Sequence, residues 1–165
     1  MSQRREVRER VLQALYASEL SKCDLDHVVN TVIRPSLKED DKAYNFAVGL
    51  LARTLENAIE ANELIEKHAE NWHLSRIAII DRLLLQMAIT EILYFSDIPP
   101  KVSINEAIDI AKRYSTAKSG QFINGILDAV LETLLAEGKV QKTGRGLVGM
   151  EDPVETRSES VETNQ

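Results

Sequence analysis

The stretch IAIIDRLLLQMAITEILYF, from Ile77 to Phe95, is apolar on almost every side. A helix with one apolar stripe lies on a surface, whereas one apolar nearly all round must be covered by neighbours or by lipid. Only Asp81, Arg82, Gln86, Thr90 and Glu91 interrupt it. At about 100° per residue Arg82, Gln86 and Thr90 share one thin polar strip, while Asp81 and Glu91 point elsewhere. A membrane span needs about 20 residues with few or no charges. The three charges here argue for the central helix of an all-helical domain instead.

The surrounding chain fits that reading. It has 165 residues, 44% of them hydrophobic, enough to bury one core and cramped for two domains. Aromatics make up only 5%, and no run alternates apolar and polar residues between turn formers, so strands are not expected. A net charge of -6 argues against a protein that coats nucleic acid indiscriminately, although a local basic patch can sit on an acidic molecule. One cysteine, Cys23, excludes an intramolecular disulfide, and no apolar signal segment follows the charged start, which points to the cytoplasm and away from membranes.

From Gln3 to Ser21, Val7, Val11, Ala14, Leu15 and Ser18 recur at helical spacing. Beside them Arg5, Arg8, Leu12 and Tyr16 form a second line, with Arg4 one position away, which reads as a basic flank ending in an aromatic ring. Cations at a helix N-terminus face the positive end of its dipole, so the flank is either a solvated first turn or a functional surface. Asp24 to Arg34 predicts a short helix closed by Arg34-Pro35. Ser36 and Glu39 have capping-box spacing ahead of one long helix over residues 40–70, in which Gly49 suggests a close helix crossing. Eight acids against Lys42, Arg53 and Lys67 between Glu39 and Glu70 make this segment repel a polyanion. Trp72 is expected against the core.

Pro99 and Pro100 end the central helix. Ser103 and Glu106 then suggest a capping box for a helix burying Ile104, Ala107, Ile108 and Ala111. Ser115 to Gly120 reads as a connection, and Gln121 to Glu137 as the last helix, stopped by Gly138. The helical domain is thus expected over residues 1–138. Residues 139–165 have the composition of a flexible, disordered tail.

Signals for catalysis are weak. Gly144, Gly146 and Gly149 match a dinucleotide-binding spacing, but that pattern works only between a strand and a helix. His27, His68, His73 and Cys23 lack the paired spacing of a zinc site, and no nucleophile set stands out. No enzyme, metal or cofactor is expected. Two basic patches bearing aromatics remain: Arg4, Arg5, Arg8 and Tyr16, and then Lys112, Arg113, Tyr114, Lys118 and Phe122. Cations for phosphates beside aromatic faces for splayed bases suit single-stranded RNA. The alternative for Tyr114 and Phe122 is core packing near a turn, and whether the patches adjoin in space decides between the two.

RREVRERVLQALYASELS (Arg4 to Ser21), IDRLLLQMAITEILYFSDIPPKVSINEAIDIAKRYS (Ile80 to Ser115) and SGQFINGILDAVL (Ser119 to Leu131) together resemble the NusB family of bacterial transcription antitermination factors. The resemblance spans about Arg4 to Ala136 and is most specific in IPPKVSINEAIDIAKRYS and in the Phe122-Ile-Asn124-Gly125 run. It implies about seven helices in two packed subdomains and no catalysis. It also implies pairing with the ribosomal protein NusE, binding of boxA-like single-stranded RNA, and a place in the RNA polymerase antitermination complex on ribosomal RNA operons. Homodimer formation is left open.

Carried over by position, the resemblance gives Arg4, Arg5 and Arg8 to phosphates, and Tyr16, Tyr114, Phe122 and Asn124 to the RNA surface beside Lys112. Lys118 stands where a family member has an acid. Asp81, at an expected exposed helix start, and nearby Arg76 fall on the NusE side. A NusB-like domain also occurs fused to RNA methyltransferases, but this chain is too short to hold the enzyme part. The competing class is a helical protein-interaction module or ribosome-assembly factor without RNA binding of its own.

Overall fold

The computed structural model describes residues 3–37, 39–69 and 73–150, and these are all-helical without a strand. Helix α1 (Gln3–Ser21) is followed by α2 (Leu25–Val28), where the Asp24 carboxylate accepts from the His27 amide at 2.8 Å. The expected stop at Arg34-Pro35 does not occur. A wide π turn (Val29–Ile33) leads into α3 (Arg34–Leu37), Arg34 keeps helical angles of -58° and -45°, and Pro35 falls in a first turn, where its ring is tolerated. Counting residues 25–37 as one irregular segment, the described residues form seven helical segments and two short 3-10 turns.

The acidic middle is two helices rather than one, α4 (Asp41–Glu56) and α5 (Ala58–His68). Asp40 caps α4 by accepting from the Ala43 amide at 3.1 Å, replacing the expected Ser36–Glu39 box. The break falls at Asn57, whose buried side chain is taken up by the helix Ile79–Tyr94. Its amide nitrogen lies 3.5 Å from the Thr90 hydroxyl, and its oxygen accepts from the Tyr94 hydroxyl at 3.4 Å.

Helix α6 (Ile79–Tyr94) buries eleven of its sixteen residues, as its all-round apolar sequence requires. It touches α1, α4 and α5, and also α7 (Pro100–Tyr114) and α8 (Ala117–Ala136). The polar strip is covered too. Arg82 pairs with Glu19 of α1, Gln86 donates to Asn62 of α5 at 2.7 Å, and Thr90 meets Asn57.

Helix α7 starts at Pro100, three residues before the expected cap, with proline at a helix start where no amide partner is lost. Ser103 and Glu106 are engaged elsewhere, as described below. Helix α8 likewise starts early. Thr116 accepts from the Ser119 amide at 3.2 Å, leaving only Ser115 and Thr116 as the connection. At its other end Gly138 has φ +68°, and the Lys139 amide bonds back to the Leu134 carbonyl at 2.9 Å, the glycine stop that sequence predicts.

Disorder from Lys139 onward does not hold for residues 139–150. The Lys142 ammonium, buried, donates to the carbonyls of Glu91 at 3.0 Å and Phe95 at 2.8 Å, at the carbonyl end of α6, where a cation also suits the helix dipole. Burial lowers its pKa to about 8, against the opposing pull of Glu91 and Asp97. Trp72 and residues 151–165 lie outside the described residues.

Gly49 does not mark a close crossing, since a Cβ there would meet nothing within 4 Å. Gly49→Ala is therefore expected to raise stability by about 1 kcal/mol in urea unfolding, because glycine costs that much inside a helix. A loss of stability would restore the crossing. No helix among the described residues is long and apolar enough to cross a membrane.

Candidate nucleic-acid interface

The two basic patches adjoin along the seam between α1 and α7. Gln13 donates to the Tyr114 hydroxyl at 3.3 Å, and Arg113 pairs with Glu9. Arg5 spans the same seam, bonding Glu106 at 2.8 Å and Asp109 at 2.7 Å. Tyr16 and Tyr114 keep 38% and 39% of their surface exposed, so neither ring is consumed by the core. Lys112 is exposed, with its stem lying 3.5 Å from where a Cβ of Gly120 would stand. Lys118 and Asn124 are exposed on the first turns of α8, and Phe122 between them is partly buried against the core. The core-packing alternative thus holds in part for Phe122 and fails for Tyr114.

Arg8 departs from its expected role. It is 3% exposed, and its guanidinium grips the buried Glu91 carboxylate with Nε and Nη2 donating at 2.9 and 2.7 Å. Ser103 donates to the same carboxylate at 2.9 Å. A planar guanidinium bound side-on to a carboxylate satisfies both ions, leaving Arg8 no reach toward a phosphate. Leu12, one step along the same line, is fully buried as well. The flank that looked outward in sequence therefore faces α6 and α7 over Arg8 and Leu12. Arg5 is only half available, whereas Arg4 lies outermost, stacked 4.5 Å over the Phe46 ring and 3.7 Å from Asp97.

Sequence reasoning missed Glu9 and Gln13. The signal is present but divided between two helices: Arg5, Glu9 and Gln13 repeat every four residues on α1, opposite Glu106, Asp109 and Arg113 on α7. Charges of opposite order match only once the two helices are known to be neighbours.

Asp81 is not exposed. It is 6% accessible, and its carboxylate accepts from the Ser119 hydroxyl at 3.0 Å, tying the start of α6 to the start of α8. Its other oxygen is buried with no hydrogen-bond partner among the described residues. Burial raises its pKa, with the Ser119 hydrogen bond opposing. Arg76, in the 3-10 turn Leu74–Arg76 before α6, is exposed.

Comparison with known proteins extends this picture. The model of the NusB family matches residues 5–132, most of the chain. The chain belongs to the NusB family. The transcription antitermination protein NusB of Salinibacter ruber is 51% identical over 160 residues, which cover 97% of this chain and 99% of the relative. The crystal form of T. maritima NusB superposes with a TM-score of 0.73 at 37% identity, covering 80% of this chain and 92% of that one. A further structure, of the antitermination factors NusB and NusE in complex with double-stranded RNA, shares the fold with a TM-score of 0.72 at 22% identity, covering 81% and 99%. The relatives are named for antitermination rather than for a reaction.

Proposed function

We propose that this chain acts in the cytoplasm as a transcription antitermination factor that holds boxA-like single-stranded RNA together with a NusE-type ribosomal protein within the RNA polymerase antitermination complex. The observation that carries this is the meeting of the two patches across α1 and α7, where Tyr16 and Tyr114 remain exposed, with Lys112 exposed on α7 and Lys118 and Asn124 exposed on α8. Aromatic faces take bases and the cations take phosphates. Arg4 extends the cationic edge; Arg5 orders the seam and contributes in part. Glu60, Glu63 and Glu66 against Lys67 leave α5 acidic, which disfavours a polyanion there. Arg76 stands on the protein-partner side, where Asp81 acts from beneath the surface by fixing the helix starts.

Tyr114→Ala tests this with little risk to the fold, because the side chain makes one long surface hydrogen bond. Its removal is expected to weaken binding to a boxA-like RNA by about 1–3 kcal/mol if a base stacks there. Titrations with and without NusE separate this from the competing protein-interaction module, for which the isolated chain and the variant would show equally weak RNA binding.

A further inference from the structure

We propose that residues 139–150 add a phosphate-binding wall to the RNA surface, with Arg145 and Arg4 on the two sides of one groove at the start of α1. This rests on the RNA-binding reading above and extends it to a segment beyond the residues matched by the family model.

The groove has a volume of about 480 Å³, and its lining includes Arg4, Ile98, Pro99, Val102, Arg145 and Val148. The C-terminal wall is held by backbone and not by chance contact. Lys142 is bonded to the end of α6, and the Thr143 amide donates to the Ser96 carbonyl at 3.0 Å. Gly146 is buried so closely that a Cβ would lie 1.9 Å from the Ser96 oxygen, so only glycine fits. These anchors set a 3-10 turn (Gly144–Leu147) that leaves Arg145 exposed and Val148 65% exposed.

The charges sort by availability. Arg8 is neutralised by Glu91, and Glu106, which also lines the groove, is committed to Arg5. Arg4 has the distant Asp97 as its carboxylate, and Arg145 pairs with no carboxylate among the described residues. Lys101, outside the groove lining, lies against the end of the turn, its stem 3.8 Å from a Cβ placed at Gly149. Arg4 and Arg145 against Asp97 favour an anion, and the exposed Val102 and Val148 give a ribose or base an apolar rest. A phosphodiester strand meets both requirements, and through Arg4 the groove continues into the α1–α7 seam. An acidic peptide would satisfy the cations alone. Residues 151–165 of this chain, with five acids and Arg157, are one such segment.

The test uses the full chain and a fluorescent boxA-like single-stranded RNA, with affinity read by anisotropy at several salt concentrations. Arg145→Gln is expected to weaken binding and to flatten the log–log salt slope by about 0.7, the value for neutralising one phosphate fewer on a single strand. Gly146→Val, which changes no charge but unseats the wall, is expected to weaken binding as well. Lys67→Gln, an exposed cation on α5 away from the groove and the seam, should leave it unchanged. Parental affinity and slope in Arg145→Gln would overturn the proposal. Tighter binding in that variant would overturn it in favour of an acidic peptide in the groove. Absence of RNA binding by the parent would instead defeat the RNA-binding reading itself.

Discussion

Glu91→Ala is expected to destabilise the protein by about 3–5 kcal/mol in chemical denaturation, because it strands the Arg8 guanidinium in the core without a partner. Burying an ion pair costs desolvation of both members, and the Arg8–Glu91 geometry offsets that only while both are present. The double replacement Arg8→Met with Glu91→Leu should therefore recover most of the stability, since two apolar groups of similar volume need no partner. Arg8→Met alone should unfold the chain more easily, and RNA affinity of the folded fraction should hardly change. Unaltered stability with weakened RNA binding would return Arg8 to the phosphate-binding surface.

The second large effect is at Asp81. Charge reversal to lysine places an ammonium where a single hydroxyl, that of Ser119, is the hydrogen-bond partner of the native side chain, and is expected to cost more than about 3 kcal/mol. Asp81→Asn keeps the shape and should be mild. It also isolates the titration: burial holds the native pKa of Asp81 above its ordinary value of 3.8, so the native state binds the proton more tightly than the unfolded chain. The resulting stabilisation is full below the ordinary value and is lost as pH rises through the raised one. Urea midpoints of the parent relative to Asp81→Asn should thus decline with rising pH across that window. A flat difference, or reversal to lysine without loss of stability, would mean an exposed Asp81 available to a protein partner.

These two residues also mark where one-dimensional reading gives out. Both stand out in the sequence, because an arginine near a helix start and an acid in an apolar helix each oppose local physics. A functional surface and a buried ion pair leave the same mark in sequence. Only the partner distinguishes them, and Glu91 lies 83 residues from Arg8. The cap assignments fail in the same way: Ser103 and Glu106 have capping-box spacing, yet their side chains serve Glu91 and Arg5 on other helices.

By itself the sequence determined the all-helical class, the central place of the Ile77–Phe95 stretch and the family, because apolar periodicity and contiguous motifs are local properties that survive without coordinates. It also determined the glycine stop at Gly138, which depends on one backbone conformation. The tertiary structure alone decided that Arg8 and Asp81 are internal, that the two aromatic patches adjoin across α1 and α7, and that residues 139–150 return to the end of α6. Each of these rests on a charge or a carbonyl meeting a partner far along the chain, and such meetings are set by how helices pack.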